Sequence, residues 1–250
     1  MKIVVIGAGA AGLLAAGKAA ETADEVVIIE KNDIIGKKLL ITGKGRCNIT
    51  NSADIEDMIG QYPRNAKFLY SALYTFTNDD IIRIIEENGV KTKVERGGRV
   101  FPVSDKSQDV VKALKKYALK PNVSLVHDTV KSLIIGDGTV KGVKTSKTSI
   151  TADRVIICTG GKSYPRTGST GDGYKFAKQA GHTIIEPKAS LIPVLTEEKF
   201  VKDIMGLSLR NIKITAFNQK NKKVYSDFGE MLFTHFGISG PVVLSMSAYL

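Results

Sequence analysis

A glycine-rich turn near the start of the chain constrains the fold more than any other feature. Residues 7–12 read Gly-Ala-Gly-Ala-Ala-Gly, between a Val/Ile run over residues 2–6 and an Ala/Leu-rich helical segment. In such a turn the first glycine permits a tight bend, the second lets amides approach a pyrophosphate, and the third lets helix and strand pack closely. Glu30 ends the next apolar run, about twenty residues on, where a carboxylate accepts hydrogen bonds from a ribose. This spacing predicts a β-α-β unit that binds a dinucleotide.

The order of apolar patterns predicts an α/β protein. Further strands are expected over residues 25–30, 123–126, 129–135, 139–145 and 154–158, with a hairpin over 94–101. Helices are expected over residues 66–74, 78–87, 104–117 and 173–179. Asn78 or Asp79 is the expected cap of the second of these helices, and residues 36–51 are expected to form an irregular loop.

The pattern changes past Pro187, where segments such as 211–217 and 223–228 alternate in the way β-strands do. We therefore expect a Rossmann-type domain over residues 1–187 and a β-rich second domain over residues 188–250.

Charge and cysteine content limit the possible partners. The chain carries 36 Lys+Arg against 25 Asp+Glu, a formal net charge of +11, and the lysines are spread along it. This spread favours a role in solubility over a nucleic-acid partner. No apolar run is long enough to span a membrane, and no metal-ligand cluster is present. Cys47 and Cys158 stand in unrelated contexts, which favours free thiols in a reducing cytoplasm. No pattern indicates an oligomeric state.

Two further segments are suited to a nucleotide cofactor. Thr159-Gly160-Gly161 follows a late buried strand and is expected to bring a second backbone loop to the same crevice. The loop over residues 36–48 follows Glu30 and combines glycines with basic side chains, which suits phosphate or flavin oxygens. The competing interpretation of this loop is a solvated basic turn.

Four stretches of the chain together resemble one bacterial flavoprotein family, described as BaiN-like NAD(P)/FAD-dependent or aminoacetone-oxidase-like oxidoreductases. They are residues 36–51 (GKKLLITGKGRCNITN), 98–102 (GRVFP), 159–174 (TGGKSYPRTGSTGDGY) and 229–241 (GEMLFTHFGISGP). The resemblance implies a glutathione-reductase-like FAD-binding Rossmann domain with the beginning of an inserted, mainly β second domain. It also implies that the chain lacks the C-terminal part, whose glycine-rich segment closes over the flavin in longer members. Weak flavin retention is the expected consequence.

The resemblance implies an FAD-dependent oxidoreductase of small organic substrates, with NAD(P)H as a transient reductant. The residues that it places around the FAD cofactor are Gly7, Gly9, Ala10, Ala11, Gly12, Glu30, Lys31, Lys38, Leu39, Gly45, Arg46, Cys47, Asn48, Val130, Thr159, Gly160 and Gly161. Among these, Val130 matches the position whose backbone holds adenine.

The catalytic group is not identified by the sequence. Arg46, Tyr164 and His235 are the candidates, the last because it lies inside a matched stretch. Two alternatives to the oxidoreductase stay open: an RNA-binding flavoprotein, and a truncated nucleotide-binding protein without turnover.

Overall fold

The computed structural model describes all 250 residues and divides the chain into two compact units. The first unit comprises residues 1–61 and 67–184, and the second comprises residues 62–66 and 185–250. No helix has the length and apolar character needed to cross a membrane.

The first unit contains ten strands and six α-helices. The strands are β1 (Lys2–Ile6), β2 (Glu25–Glu30), β3 (Thr50–Asn51), β4 (Thr92–Glu95), β5 (Arg99–Pro102), β6 (Val123–His127), β7 (Val130–Gly136), β8 (Thr139–Thr145), β9 (Ser149–Thr151) and β10 (Arg154–Ile157). The helices are α1 (Ala10–Ala19), α2 (Ile55–Gly60), α3 (Tyr70–Thr75), α4 (Asn78–Glu87), α5 (Ser107–Ala118) and α6 (Asp172–Gln179).

A four-stranded parallel sheet forms the centre of the first unit, in the order β10-β1-β2-β6. Its middle strands are runs of Val and Ile because both of their faces are buried, as parallel sheets require. On one face the apolar side chains pack against α1 and α5, and Leu13 and Leu114 belong to that core. On the other face they pack against α6 and the antiparallel sheet β7-β8-β9, around Val143 and Phe176. This arrangement confirms the α/β Rossmann-type fold.

The second unit contains four strands and one α-helix: β11 (Val194–Leu195), β12 (Ser208–Phe217), β13 (Lys223–Thr234), β14 (Gly237–Ser239) and α7 (Pro241–Ser247). The strands form an antiparallel sheet in the order β11-β14-β13-β12. One face of this sheet packs against α7, whose Val242, Val243 and Met246 are buried against Ile212 and Ile214 of β12.

Several local predictions need correction. The helix α4 is capped by Thr77 rather than Asn78 or Asp79, because Thr77 and Asp80 form a reciprocal capping box. The expected helix over residues 66–74 is broken into a 3₁₀ turn and α3, and α5 starts three residues later than the expected residue 104. The loop over residues 36–51 is also more regular than expected, since it contains 3₁₀ turns over residues 39–45 and the short strand β3.

Candidate functional site

The first unit contains a crevice of about 300 Å³ at the carboxyl ends of β1, β2 and β10. Ligands of open α/β sheets bind at this edge of the sheet. The lining combines backbone of the glycine turn with the segments after β2, β6 and β10 and the start of α6. Its main members are Gly7, Gly9, Ala10, Ala11, Glu30, Lys31, Asn32, Lys38, Leu39, Asp128, Thr129, Val130, Thr159, Gly160, Ser169 and Asp172.

The three glycines of the turn have different physical roles. Gly7 has a φ of +103°, and a Cβ there would lie 2.5 Å from the carbonyl oxygen of Cys158. A Cβ on Gly12 would lie 1.8 Å from the carbonyl oxygen of Gly7, so this glycine lets α1 pack on β1. Gly9 has an ordinary φ of −79°, and a Cβ there would meet no protein atom within 4 Å. The missing side chain of Gly9 therefore leaves space in the crevice itself.

The start of α1 presents unpaired backbone donors to this space. The amides of Gly9, Ala10 and Ala11 donate to no protein acceptor, and Gly9 caps the helix without a side-chain hydrogen bond. The first amides of a helix carry partial positive charge and bind anions well. The Ala8 amide differs, because it donates to Oε2 of Glu30 at 2.7 Å.

Glu30 ends β2 and is buried, with 6% of its surface exposed. Its Oε1 accepts hydrogen bonds from the backbone amide and the side-chain amide of Asn32, at 2.8 and 2.7 Å. Its Oε2 accepts only the Ala8 amide and keeps the capacity for a second donor. The carboxylate is thereby oriented at the crevice wall, with one position left for a hydroxyl group.

A charged cluster closes another side of the crevice. The Nζ atom of Lys31 lies 2.7 Å from both the Asp172 carboxylate and the Thr170 hydroxyl. Burial acts to raise the pKa of Asp172, but the hydrogen bonds from Lys31 and Thr170 outweigh it and leave this pKa below its ordinary value. Asp172 therefore stays ionised and neutralises Lys31 at neutral pH.

Thr159 follows β10 and holds a buried side-chain oxygen that has no hydrogen-bond partner. A buried polar atom without a partner is costly, and such atoms are few in native structures. Gly160 follows it with a φ of +71°, a conformation that favours glycine. Both residues line the crevice, whereas Gly161 lies outside its lining.

The loop after β2 contributes only its first half to the crevice. Lys38 and Leu39 line it, and the Lys38 Nζ donates to the backbone oxygen of Ser163 at 2.8 Å. The same ammonium group lies 5.9 Å from the ring centre of Tyr164, which is 69% exposed and has a φ of +53°. Lys38 and Tyr164 thus stand together at the edge of the crevice.

Gly45, Arg46, Cys47 and Asn48 lie outside the lining of the crevice. Arg46 is turned toward two carboxylates, with distances of 2.8 Å to Glu95 and 3.2 Å to Asp105. Hydrogen bonding to Arg46 lowers the pKa of Glu95, so the pair stays charged.

The Cys47 side chain is 1% exposed, and burial raises the pKa of its thiol. Cys47 is therefore an unreactive core residue. For the neighbouring Arg46, the family motif gave no sign that its side chain pairs with Glu95.

The far end of the crevice follows β6. Val130 is buried and lines the crevice beside Asp128 and Thr129. The ring Nδ1 of His127 lies 2.9 Å from the Asn32 backbone oxygen, which ties this segment to the one after Glu30. Sequence reasoning missed Asn32 and Asp128, because neither residue type follows from the glycine motif.

His235 belongs to the second unit, where its ring packs edge-on against Phe236 with 4.8 Å between the ring centres. It makes no hydrogen bond that would orient it as an acid or base.

The residues at the crevice fit the adenylate end of a dinucleotide. Free amides and an open position at Gly9 suit a pyrophosphate, and the spare acceptor position of Glu30 suits a ribose hydroxyl. A 2′-phosphate would face the Glu30 carboxylate and be repelled.

Comparison with known proteins agrees with this geometry. Residues 1–240 match the model described as the HI0933-like protein Rossmann domain. A ribosomal RNA dihydrouridine synthase of Haemophilus influenzae is 36% identical over 258 residues, covering 98% of this chain and 61% of the relative. A 3-dehydro-bile acid delta(4,6)-reductase of Clostridium scindens is 32% identical over 257 residues, covering 100% of this chain and 60% of the relative.

The chain thus spans about 60% of the length of these curated relatives. Among solved structures, the open conformation of a flavocytochrome c3 fumarate reductase has a TM-score of 0.57 at 18% identity, covering 84% of this chain and 46% of that one. This likeness shows the fold, and the family follows from the match over residues 1–240. The chain belongs to the HI0933-like Rossmann-domain family.

Proposed function

We propose that the crevice binds FAD and that the chain is the FAD-binding part of an oxidoreductase that acts on a small organic substrate. The observation that carries this proposal is the open position at Gly9 beside three unpaired amides. When bound, FAD supplies a ring that accepts and donates hydride. The chain itself binds and orients the cofactor.

Each part of the lining has a role in this proposal. The amides of Gly9, Ala10 and Ala11 bind the pyrophosphate, and Glu30 accepts a hydrogen bond from the adenosine ribose. Backbone at Val130 holds adenine. Further contacts follow from the family resemblance and the crevice lining: Lys31, Thr159 and Gly160 along the wall, and Lys38 and Leu39 on the flavin side.

The other proposed cofactor residues either shape the glycine turn or lie outside the lining of the crevice. Gly7 and Gly12 shape the turn, as their close backbone contacts indicate. Gly45, Arg46, Cys47, Asn48 and Gly161 remain proposals of the family resemblance alone, because none of them lines the crevice.

For the reaction we propose reduction of the organic substrate, with NADH or NADPH as transient reductant. The relative named as a bile acid reductase supports this direction. Tyr164 is the preferred candidate for substrate contact, because it is exposed beside Lys38 at the crevice edge. Arg46 is a weaker candidate since two carboxylates hold it, and His235 is weaker since nothing orients it.

We further propose that residues 1–187 form the FAD-binding domain and that residues 188–250 begin an inserted domain. The two free cysteines support a reducing cytoplasm as the compartment.

The test is reconstitution of the purified chain with FAD and, separately, with FMN, which lacks the adenylate half. We expect FAD to bind and FMN to fail, because the proposed contacts are to pyrophosphate, ribose and adenine. Anaerobic NADH or NADPH should then bleach the flavin absorbance, and air should restore it. Equal binding of FAD and FMN would contradict the assignment of the crevice, and binding without bleaching would indicate a nucleotide-binding protein without turnover.

A second candidate function is reduction of a base in RNA. It is favoured by the 36% identity to a relative named as a ribosomal RNA dihydrouridine synthase, with 98% of this chain covered. Its test is loss of uracil absorbance when RNA is incubated with the FAD-loaded chain and reductant. Unchanged RNA after a full flavin reduction cycle would remove this candidate.

A further inference from the structure

The antiparallel sheet of the second unit has two unlike faces. Ile212, Ile214 and Ala216 of β12 point toward α7 and join its core. Because side chains alternate along a strand, Lys213, Thr215 and Phe217 point to the opposite face. No element covers Phe217 there, and it is 59% exposed.

The neighbouring strand completes this outer face, with a β-bulge at Val224 between the pairs Ala216–Tyr225 and Phe217–Lys223. The register pairs Lys213 with Phe228, Thr215 with Ser226, and Phe217 with Lys223. Phe228 is 60% exposed, and the hydroxyl groups of Thr215 and Ser226 lie 3.0 Å apart. Each end of the face therefore shows one aromatic ring beside one cation, with a hydroxyl pair in the middle. We call these six residues the outer face of the β12–β13 hairpin.

The surroundings of the outer face are basic. The turn of the hairpin is ordered by Asn218, whose side-chain oxygen accepts the amides of Lys220 and Lys222 at 3.0 Å each. Both of these lysines are exposed, and none of the lysines of the hairpin forms an ion pair. Arg210 adds a further cation along β12, and Glu230 is the carboxylate that shares this side of β13.

We propose that the outer face of the β12–β13 hairpin binds single-stranded nucleic acid, with Phe217 and Phe228 each stacking on a base. The two rings lie roughly 13 Å apart along the strands, because Phe228 is opposite a residue four positions before Phe217. At this separation the two rings stack on two different bases. Exposed aromatic rings with interspersed cations are the usual platform for unpaired bases and their phosphates. The unpaired positive charge favours a polyanion over a protein partner or a second copy of the chain.

This inference does not rest on the proposed flavin chemistry. Nucleic-acid binding is measured without turnover. A chain that binds FAD can therefore fail to bind nucleic acid, and a chain that binds nucleic acid can fail to bind FAD.

The test is fluorescence anisotropy of labelled 12-nucleotide oligouridylate and oligothymidylate with the whole 250-residue chain, at several salt concentrations. The double variant Phe217→Ala/Phe228→Ala should weaken binding by about ten-fold or more, since each ring stacks on a base. Phe68→Ala is the matched control, because Phe68 is 87% exposed but lies in the first unit. Phe217→Tyr/Phe228→Tyr should bind as tightly as the wild type, in contrast to the alanine variant, since tyrosine keeps the aromatic ring.

The charge contribution is tested separately. Lys213→Ala/Lys223→Ala should make the salt slope shallower by about 1.4, at about 0.7 for each lost phosphate contact of a single strand. Lys115→Ala/Lys116→Ala removes the same charge from the exposed side of α5 and should leave the slope unchanged. Tighter binding of the RNA strand would identify RNA as the ligand, and equal binding would identify single strands in general; both support the platform.

Three results would overturn the proposal. They are absence of binding at low salt, unchanged binding by the Phe217→Ala/Phe228→Ala variant, and a dimer in sedimentation that this variant converts to monomer. The last result would assign the face to contact between copies of the chain.

Discussion

The two sheets of this protein present their proposed binding surfaces in opposite ways. The parallel sheet of the first unit is buried on both faces, so only its carboxyl edge is open and backbone amides provide the donors there. The antiparallel sheet of the second unit is covered by α7 on one face only, and its other face displays side chains. We propose that binding depends on the absence of side chains in the first case, as at Gly9, and on their presence in the second case, as at Phe217 and Phe228.

This difference has a consequence for mutation. Around the glycine turn, a single added methyl group either disrupts packing or blocks a ligand, depending on the position. On the outer face of the hairpin, a large side chain is removable without loss of packing.

The largest effect is expected for Gly12→Ala. The new Cβ would lie 1.8 Å from the Gly7 backbone oxygen, and no side-chain rotation relieves a contact with backbone. The free energy of unfolding should fall by at least about 3 kcal/mol. Urea denaturation followed by circular dichroism measures this, and a loss below about 1 kcal/mol would show that the turn tolerates a side chain at this position.

Substitutions on the two faces of the second sheet should lower the free energy of unfolding by different amounts, both smaller than the loss expected for Gly12→Ala. Val243→Ala removes fully buried side-chain atoms of α7 from its contact with the sheet and should cost about 2 kcal/mol. Phe228→Thr replaces an exposed residue by another strand-favouring one and should change stability by less than about 0.5 kcal/mol. Thermal unfolding of both variants makes the comparison. Equal losses would mean that the outer face is packed.

Thr159→Val probes the buried hydroxyl that has no partner. Removing it should leave the unliganded protein unchanged or stabilise it by up to about 1 kcal/mol, because valine keeps the shape and leaves no unpaired polar atom. FAD affinity should fall if this hydroxyl contacts the cofactor. Destabilisation of the unliganded protein would instead show that the hydroxyl already has a partner.

The smallest effect is expected for the ion pair between Arg46 and Glu95, whose contribution to the stability of the fold depends on pH. Hydrogen bonding to Arg46 lowers the folded pKa of Glu95, so the pair stabilises the fold above the unfolded pKa of about 4.3. This stabilisation is lost as the pH falls through the lower folded pKa.

Urea midpoints of an Arg46→Ala variant should therefore depend less on pH between about 5 and 3 than those of the wild type. Arg83→Ala is the control, because the pKa of its partner Asp80 is lowered mainly by hydrogen bonds from Thr77. An unchanged pH profile for Arg46→Ala would show that this pair contributes nothing to acid stability.

The first unit was largely predictable from sequence because its signals are local. Buried Val/Ile runs and glycines at fixed spacing determine the β-α-β unit, and Glu30 follows at the expected distance. The partners of Arg46 were not predictable, since Glu95 lies 49 residues away and meets it only in the fold. Likewise, the capture of the Ala8 amide by Glu30 depends on side-chain geometry that spacing does not determine.

The outer face of the hairpin could not be foreseen for another reason. Lysines that look scattered along the sequence come together only when alternation and register are known, as Lys213 and Lys223 do beside Phe228 and Phe217. The expected strand segments over residues 211–217 and 223–228 contain all six residues of this face, but the register that pairs them does not follow from the sequence.

The central claim is that Gly9 is kept free of a side chain for a ligand and not for packing. The direct measurement is an FAD titration, monitored by flavin fluorescence, of the wild type and of Gly9→Ala. Gly60→Ala is the control, because a Cβ at Gly60 also meets no protein atom but lies away from the crevice. We expect Gly9→Ala to unfold near the wild-type temperature and to bind FAD at least about ten-fold more weakly, and Gly60→Ala to keep the wild-type FAD affinity without loss of stability. FAD affinity of Gly9→Ala equal to that of the wild type would contradict the account.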